Sequence, residues 1–118
     1  MGKINLKSVI ISDEENLTIE TSGIKTKNKI IYKENDISVT ILIFDNKIEM
    51  KRSCNDYEIN LIFEKNKKTI STYQIFGGFK KFSLETITKS LKIDKSKIEI
   101  NYELEGNAFT YTLEMEDL

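Results

Sequence analysis

The chain has 118 residues, 39% hydrophobic and 31% charged, with 18 basic residues against 19 acidic ones and a net charge of −1. That length suits one domain with a core of its own, and interspersed charge of both signs offers no basic face to nucleic acid. With no His and one Cys, a Ser/His/Asp or Cys/His nucleophile, a zinc cluster and an internal disulfide are all excluded.

In chain order, Met1-Gly2-Lys3-Ile4 opens straight into a strand pattern. Neither a signal-peptide pattern nor an apolar run near twenty residues is present, so the expectation is a cytoplasmic protein with no membrane segment. The richness in Ile, Lys and Asn fits an AT-rich, bacterial genome. Turn signals then recur about every ten residues. They are Asp13-Glu14-Glu15-Asn16, Lys27-Asn28-Lys29, Asn35-Asp36, Asp45-Asn46, Cys54-Asn55-Asp56, Lys65-Asn66-Lys67, Gly77-Gly78, Asp94-Lys95-Ser96 and Gly106-Asn107. Asn, Asp and Gly tolerate the positive φ of tight hairpins. No break is long enough for a crossover helix or a domain linker. The chain has no Pro to blunt an edge, and closure removes edges altogether. The expectation is therefore a single all-β domain over residues 1–118, an antiparallel meander β-barrel of about 8–10 strands.

The strands alternate. Ile30, Tyr32 and Glu34 share a face, as do Ile37, Val39, Ile41 and Ile43. On the latter strand Leu42 and Phe44 make the other face apolar too, as if an end of the chain or a partner covered it. Ile48, Met50 and Arg52 form the next inner row, then Tyr57, Ile59, Leu61 and Phe63. Residues 83–92 carry two signals. Leu84, Ile87 and Leu91 have helical spacing behind Ser83, whereas Phe82, Leu84, Thr86 and Thr88 alternate. The Thr content favours a strand, with a helical turn as the alternative near Lys89–Lys92. Ile98, Ile100, Tyr102 and Leu104 then pair naturally with Phe109, Tyr111, Leu113 and Met115 across the Gly106-Asn107 turn.

Two charges interrupt these rows. Arg52 is the only Arg in the chain, and Glu34 stands on the row of Ile30 and Tyr32. A buried guanidinium cannot shed its proton, so a carboxylate, carbonyls or Tyr hydroxyls must satisfy it. An ion pair with Glu34 that closes the barrel is favoured over an anion site at Arg52 or an exposed strand end. Tyr32, Tyr57, Tyr73, Tyr102 and Tyr111 fall mostly on inner rows, where their hydroxyls require polar partners. The candidate ligand-binding or barrel-closing residues are Arg52, Glu34, Tyr32, Tyr73 and Tyr102.

Other features read as structural. The short clusters Lys65-Asn66-Lys67-Lys68 and Lys80-Lys81 suit solvated turns, and Gly77-Gly78 lacks phosphate-loop context. Glu114 and Glu116 lie on a wet face, and Cys54 has no His to activate it. No catalytic residue, metal or cofactor is expected.

The segments Tyr32-Lys33-Glu34, Ile48-Glu49-Met50-Lys51-Arg52, Leu61-Ile62-Phe63, Ser71-Thr72-Tyr73, Thr86 with Leu91, and Ile98-Glu99-Ile100-Asn101-Tyr102-Glu103-Leu104 resemble the pattern of the YwiB-like family of small bacterial proteins (DUF1934). The resemblance covers nearly the whole chain, most securely from Ile30 onward. It implies a calycin-like barrel, similar in shape to lipocalins and fatty-acid-binding proteins, in a cytosolic protein of unknown function, and it carries no catalytic residues. The Asn35-Asp36 loop is short for that pattern, and the loop after Tyr73 reads Gln74-Ile75-Phe76-Gly77-Gly78. Both departures alter a barrel mouth.

Two functions follow from these expectations. One is a non-enzymatic barrel binding a small amphipathic or anionic ligand, anchored by Arg52, Glu34 and the inner Tyr residues. The other is a solidly packed barrel acting as an interaction module or homodimer through Leu42, Phe44, Ile62, Phe76 and Phe79. An interior cavity of roughly 300 Å³ beside Arg52 separates the first from the second.

Overall fold

Alternating strands and short turns build ten strands in the computed structural model, which describes residues 2–77 and 80–118. They are β1 (Gly2–Ser12), β2 (Asn16–Lys25), β3 (Lys29–Glu34), β4 (Ile37–Ile43), β5 (Lys47–Ser53), β6 (Tyr57–Glu64), β7 (Lys68–Ile75), β8 (Lys80–Ile93), β9 (Lys97–Leu104) and β10 (Asn107–Asp117). Each pairs antiparallel with the next, and β10 pairs with β1, so the sheet is a closed meander. Gly78 and Phe79, and with them the Gly77-Gly78 turn and one apolar outer position, lie outside the described residues.

The turns need few special conformations. Asn35 (φ 56°) and Asn66 (φ 62°) take the left-handed region that Asn tolerates. The last hairpin turns on Glu105 (φ 49°) and Gly106 (φ 83°) rather than on Gly106-Asn107. Two consecutive positive φ values make the two-residue turn whose twist matches its strands, and Asn107 is thereby free to pair with Leu104.

Residues 80–93 form one strand, without the helical turn. Its register shifts between Thr88 and Ser90. The bulge at Lys89 moves the inward phase from Leu84, Thr86 and Thr88 to Leu91. An even-to-odd switch of phase mimics helical spacing, while Ile87 faces outward.

The ladder is thin in two places. β2 pairs with β3 only from Gly23 to Lys25, and residues 16–22 of β2 pair with β1 alone. Gly23 permits this crossing: a Cβ there would sit 2.5 Å from the Ile31 carbonyl oxygen. β6 and β7 pair only between Tyr57–Asn60 and Thr72–Ile75. Beyond that, side chains replace the ladder. Ser71 Oγ accepts the Ile62 N–H at 3.0 Å, and the Thr69 hydroxyl donates to the Ile62 carbonyl. Ser71 also bonds Thr86 across 2.8 Å between hydroxyls.

The odd-to-even turns gather at one end, which we call the mouth, and the even-to-odd turns at the other, the base. The core fills the base half, where Ile30, Ile41, Ile48, Phe63, Ile98 and Ile100 are all fully buried. On the outer face Leu42 is half-buried and Phe44 is 46% exposed. Phe44 is left open to solvent, with the Lys47 ammonium 4.9 Å from its ring centre.

Candidate functional site

Above the apolar base lies a polar layer. Glu34 ends β3 and Arg52 nearly ends β5, on either side of β4. In register Glu34 faces Ile37 and Arg52 faces Val39, so the long Arg side chain reaches across two short apolar neighbours to the carboxylate. The contact is bidentate: Arg52 Nη1 donates to Glu34 Oε1 at 3.2 Å, and Nη2 to Oε2. The Glu34 side chain is 2% exposed and that of Arg52 13%. Burial pulls the guanidinium pKa down, but the bond to Glu34 and the charge beside it outweigh this, and the net shift is upward.

Two hydroxyls complete the carboxylate's shell. Tyr32 donates to Glu34 Oε1 at 3.1 Å and Ser8 to the same oxygen at 3.4 Å. Tyr32 and Tyr111 hydroxyls lie 2.8 Å apart. The single Tyr32 hydrogen goes to the carboxylate, which has none to give, so Tyr111 is the donor in that pair. The chain runs Tyr111 to Tyr32 to Glu34 to Arg52. Burial raises Tyr32 to about 12 and holds Tyr111 well above its ordinary value. Tyr102 is raised to about 12 for the same reason, partly offset by the Arg52 charge.

Of the residues singled out from the sequence, Glu34, Arg52 and Tyr32 meet directly. Tyr102 packs between Phe63 and Phe109, with ring centres 4.6 and 5.4 Å away. Tyr73 stands apart on the β7 wall, against Tyr57 at 5.7 Å and Phe82 at 6.2 Å. Ser8 and Tyr111 were missed as network members. Both continue inner rows, Ser8 after Ile4 and Leu6, and a search for hydroxyls on inner rows near strand level with Glu34 finds them.

Toward the mouth, the inner rows change character. Ile10, Ile19, Ile37, Ile59, Leu104 and Phe109 are only partly buried. Leu17 is 40% exposed and Phe82 47%. These side chains share the inner face by register, since Leu17 opposes Ile10, and Phe82 opposes Tyr73. Inward-facing residues meet solvent at the mouth end and, for Leu17 and Ile19, also beside the unpaired edge of β2. Two concavities lie outside the wall: one of about 790 Å³ over Asn5, Lys7, Glu20 and Glu114, and one of about 430 Å³ beside Ile24, Ile31 and Leu118. Among the described residues no helix is long and apolar enough to cross a membrane.

The fold and its pattern have known counterparts. The crystal structure of the ywiB protein from Bacillus subtilis superposes with a TM-score of 0.69 at 24% identity, covering 98% of this chain and 90% of that one. This likeness shows the fold. No curated protein matches the chain. Residues 4–115 match the family described as a domain of unknown function, DUF1934. With nearly the whole barrel inside that match, the chain belongs to the DUF1934 family.

Proposed function

We propose that the barrel is a non-enzymatic protein that binds a small amphipathic ligand inside its mouth, above the Arg52–Glu34 layer. The observation that carries this reading is the partly exposed inner ring of Ile10, Ile19, Ile37, Ile59, Leu104 and Phe109. Apolar side chains turned inward and left wet are stabilised by an apolar guest. Arg52 spends two of its five N–H donors on Glu34, and the remainder suit an uncharged hydrogen-bond acceptor reaching the floor. The chain contains no His, and the buried Ser8 hydroxyl meets a carboxylate, Glu34, that is already held by Arg52. A cytoplasmic setting accords with a single free Cys.

A second reading, a homodimer or interaction module, is favoured by one observation: residues 16–22 of β2 present an edge with no partner strand. Native mass spectrometry of the protein purified from its own host separates the two. A monomer carrying a non-covalent small-molecule adduct is the expected result. A dimer without adduct favours the second reading, and a bare monomer overturns both.

A further inference from the structure

The turns at the two ends of the barrel differ in charge. At the mouth, the β1–β2 turn carries Asp13, Glu14 and Glu15, the β3–β4 turn Asp36, the β5–β6 turn Asp56 and the β9–β10 turn Glu105. Among the described mouth-turn residues none is basic; the cations within two residues of a mouth turn are Lys33, Arg52 (paired with Glu34), Lys80 and Lys81. At the base the turns carry Lys27, Lys65, Lys67 and Lys95 against Asp45 and Asp94. A carboxylate at each end is held by backbone N–H groups, Asp94 at the base by Ser96 and Lys97 and Glu105 at the mouth by Glu85. The near-neutral chain is therefore electrically polarised along the barrel axis, with its negative pole around the opening.

Within the opening, the apolar ring ends on aromatic side chains. Tyr57 and Tyr73 pack together, Phe82 meets Tyr73 edge-on, and Phe109 stacks on Tyr102. At the floor, the one inner cation is neutralised by a bidentate carboxylate. A ligand with an anionic head meets repulsion at the rim and a compensated charge below. A cation meets carboxylates at the rim and aromatic faces just inside it.

Building on the binding reading above, we infer that the ligand is a cationic amphiphile: an apolar tail within the ring of inward side chains and a positively charged head at the acidic rim. Charge complementarity around one apolar opening selects this class over fatty acids and other anions.

The test is isothermal titration of the full chain with three probes that share a tail: octyltrimethylammonium, octyl glucoside and octanoate, each below its micellar concentration. The cation is expected to bind about tenfold tighter than octanoate at about 50 mM salt, and that ratio to fall several-fold at about 0.5 M as the rim is screened. The variant Glu14→Gln/Glu15→Gln/Asp56→Asn should reduce the ratio by a similar factor while leaving octyl glucoside binding unchanged. A ratio near one, a preference for octanoate, or a cation preference that survives both salt and the variant overturns the charge inference alone. Failure of all three probes to bind overturns the binding reading with it. The salt series on the unmodified protein decides the question even if the variant does not fold.

Discussion

Replacing Arg52 with Met keeps an unbranched apolar stem and deletes the guanidinium and its charge. In the native barrel the guanidinium meets a carboxylate that is 2% exposed, with one N–H···O contact at 3.2 Å. At that separation the attraction is about 5 kcal/mol in an effective dielectric near 20. The desolvation of both ions stands against it, so the net value of the pair is far smaller. What Arg52→Met exposes is the other quantity: a buried carboxylate left with only the Tyr32 and Ser8 hydroxyls. Removing one partner of a buried pair costs about 3–5 kcal/mol, and the 13% exposure of Arg52 puts the expectation at the lower end, about 3 kcal/mol. In urea denaturation followed by far-ultraviolet circular dichroism, with a slope of about 1–3 kcal/mol/M, the midpoint should fall by roughly 1–3 M. The double variant Arg52→Met/Glu34→Leu removes both charges and should return to within about 1 kcal/mol of the native protein. A single-variant loss below about 1 kcal/mol, or a double variant no better than the single one, refutes the buried-pair reasoning.

Alkaline titration follows from the buried phenols. Burial raises Tyr32 and Tyr102 to about 12 and holds Tyr111 well above its ordinary value, so the folded state holds protons that the unfolded state releases from about pH 10. Stability is therefore complete below pH 10 and declines as pH rises toward 12, and absorbance at 295 nm should show these phenols ionising together with unfolding. Ser71→Ala removes the acceptor of the Ile62 N–H and should cost about 1–3 kcal/mol in the same urea assay. Thr88 Oγ1 is buried with no hydrogen-bond partner among the described residues, so Thr88→Val should be neutral or stabilising by about 1 kcal/mol. Gly23→Ala forces a Cβ to 2.5 Å from the Ile31 oxygen, and its melting temperature should fall by several degrees, as expected for a clash of about 1–3 kcal/mol.

Strand number, meander order and nearly every turn were legible in the sequence, because period-two alternation and Asn/Asp/Gly punctuation act locally. The pairing of Glu34 with Arg52 was legible for the same reason: two alternations, read separately, each put a charge on an inner row. The bulge at Lys89 was not. It changes phase within a strand, and an alternating reading with one slip is indistinguishable from helical spacing over so few residues. The last turn was misplaced by one residue because Glu105 adopts a positive φ that its residue type does not advertise. Ser8 and Tyr111 were missed because membership of the polar layer depends on which residues of different strands stand at one level, and level is set by register around the whole barrel. The polarity of the two ends likewise emerges only when topology sorts the turns.

An amphipathic guest in the mouth should touch some isoleucines and not others, and a methyl-resolved NMR titration with octyl glucoside reads this directly. Ile10, Ile19, Ile37 and Ile59 line the partly exposed ring, whereas Ile30, Ile41, Ile48, Ile98 and Ile100 fill the sealed base. Saturable shifts in the first set with the second unmoved are the expected result. No shifts, or shifts confined to the outward methyls of Ile24 and Ile31, would contradict a binding site inside the barrel.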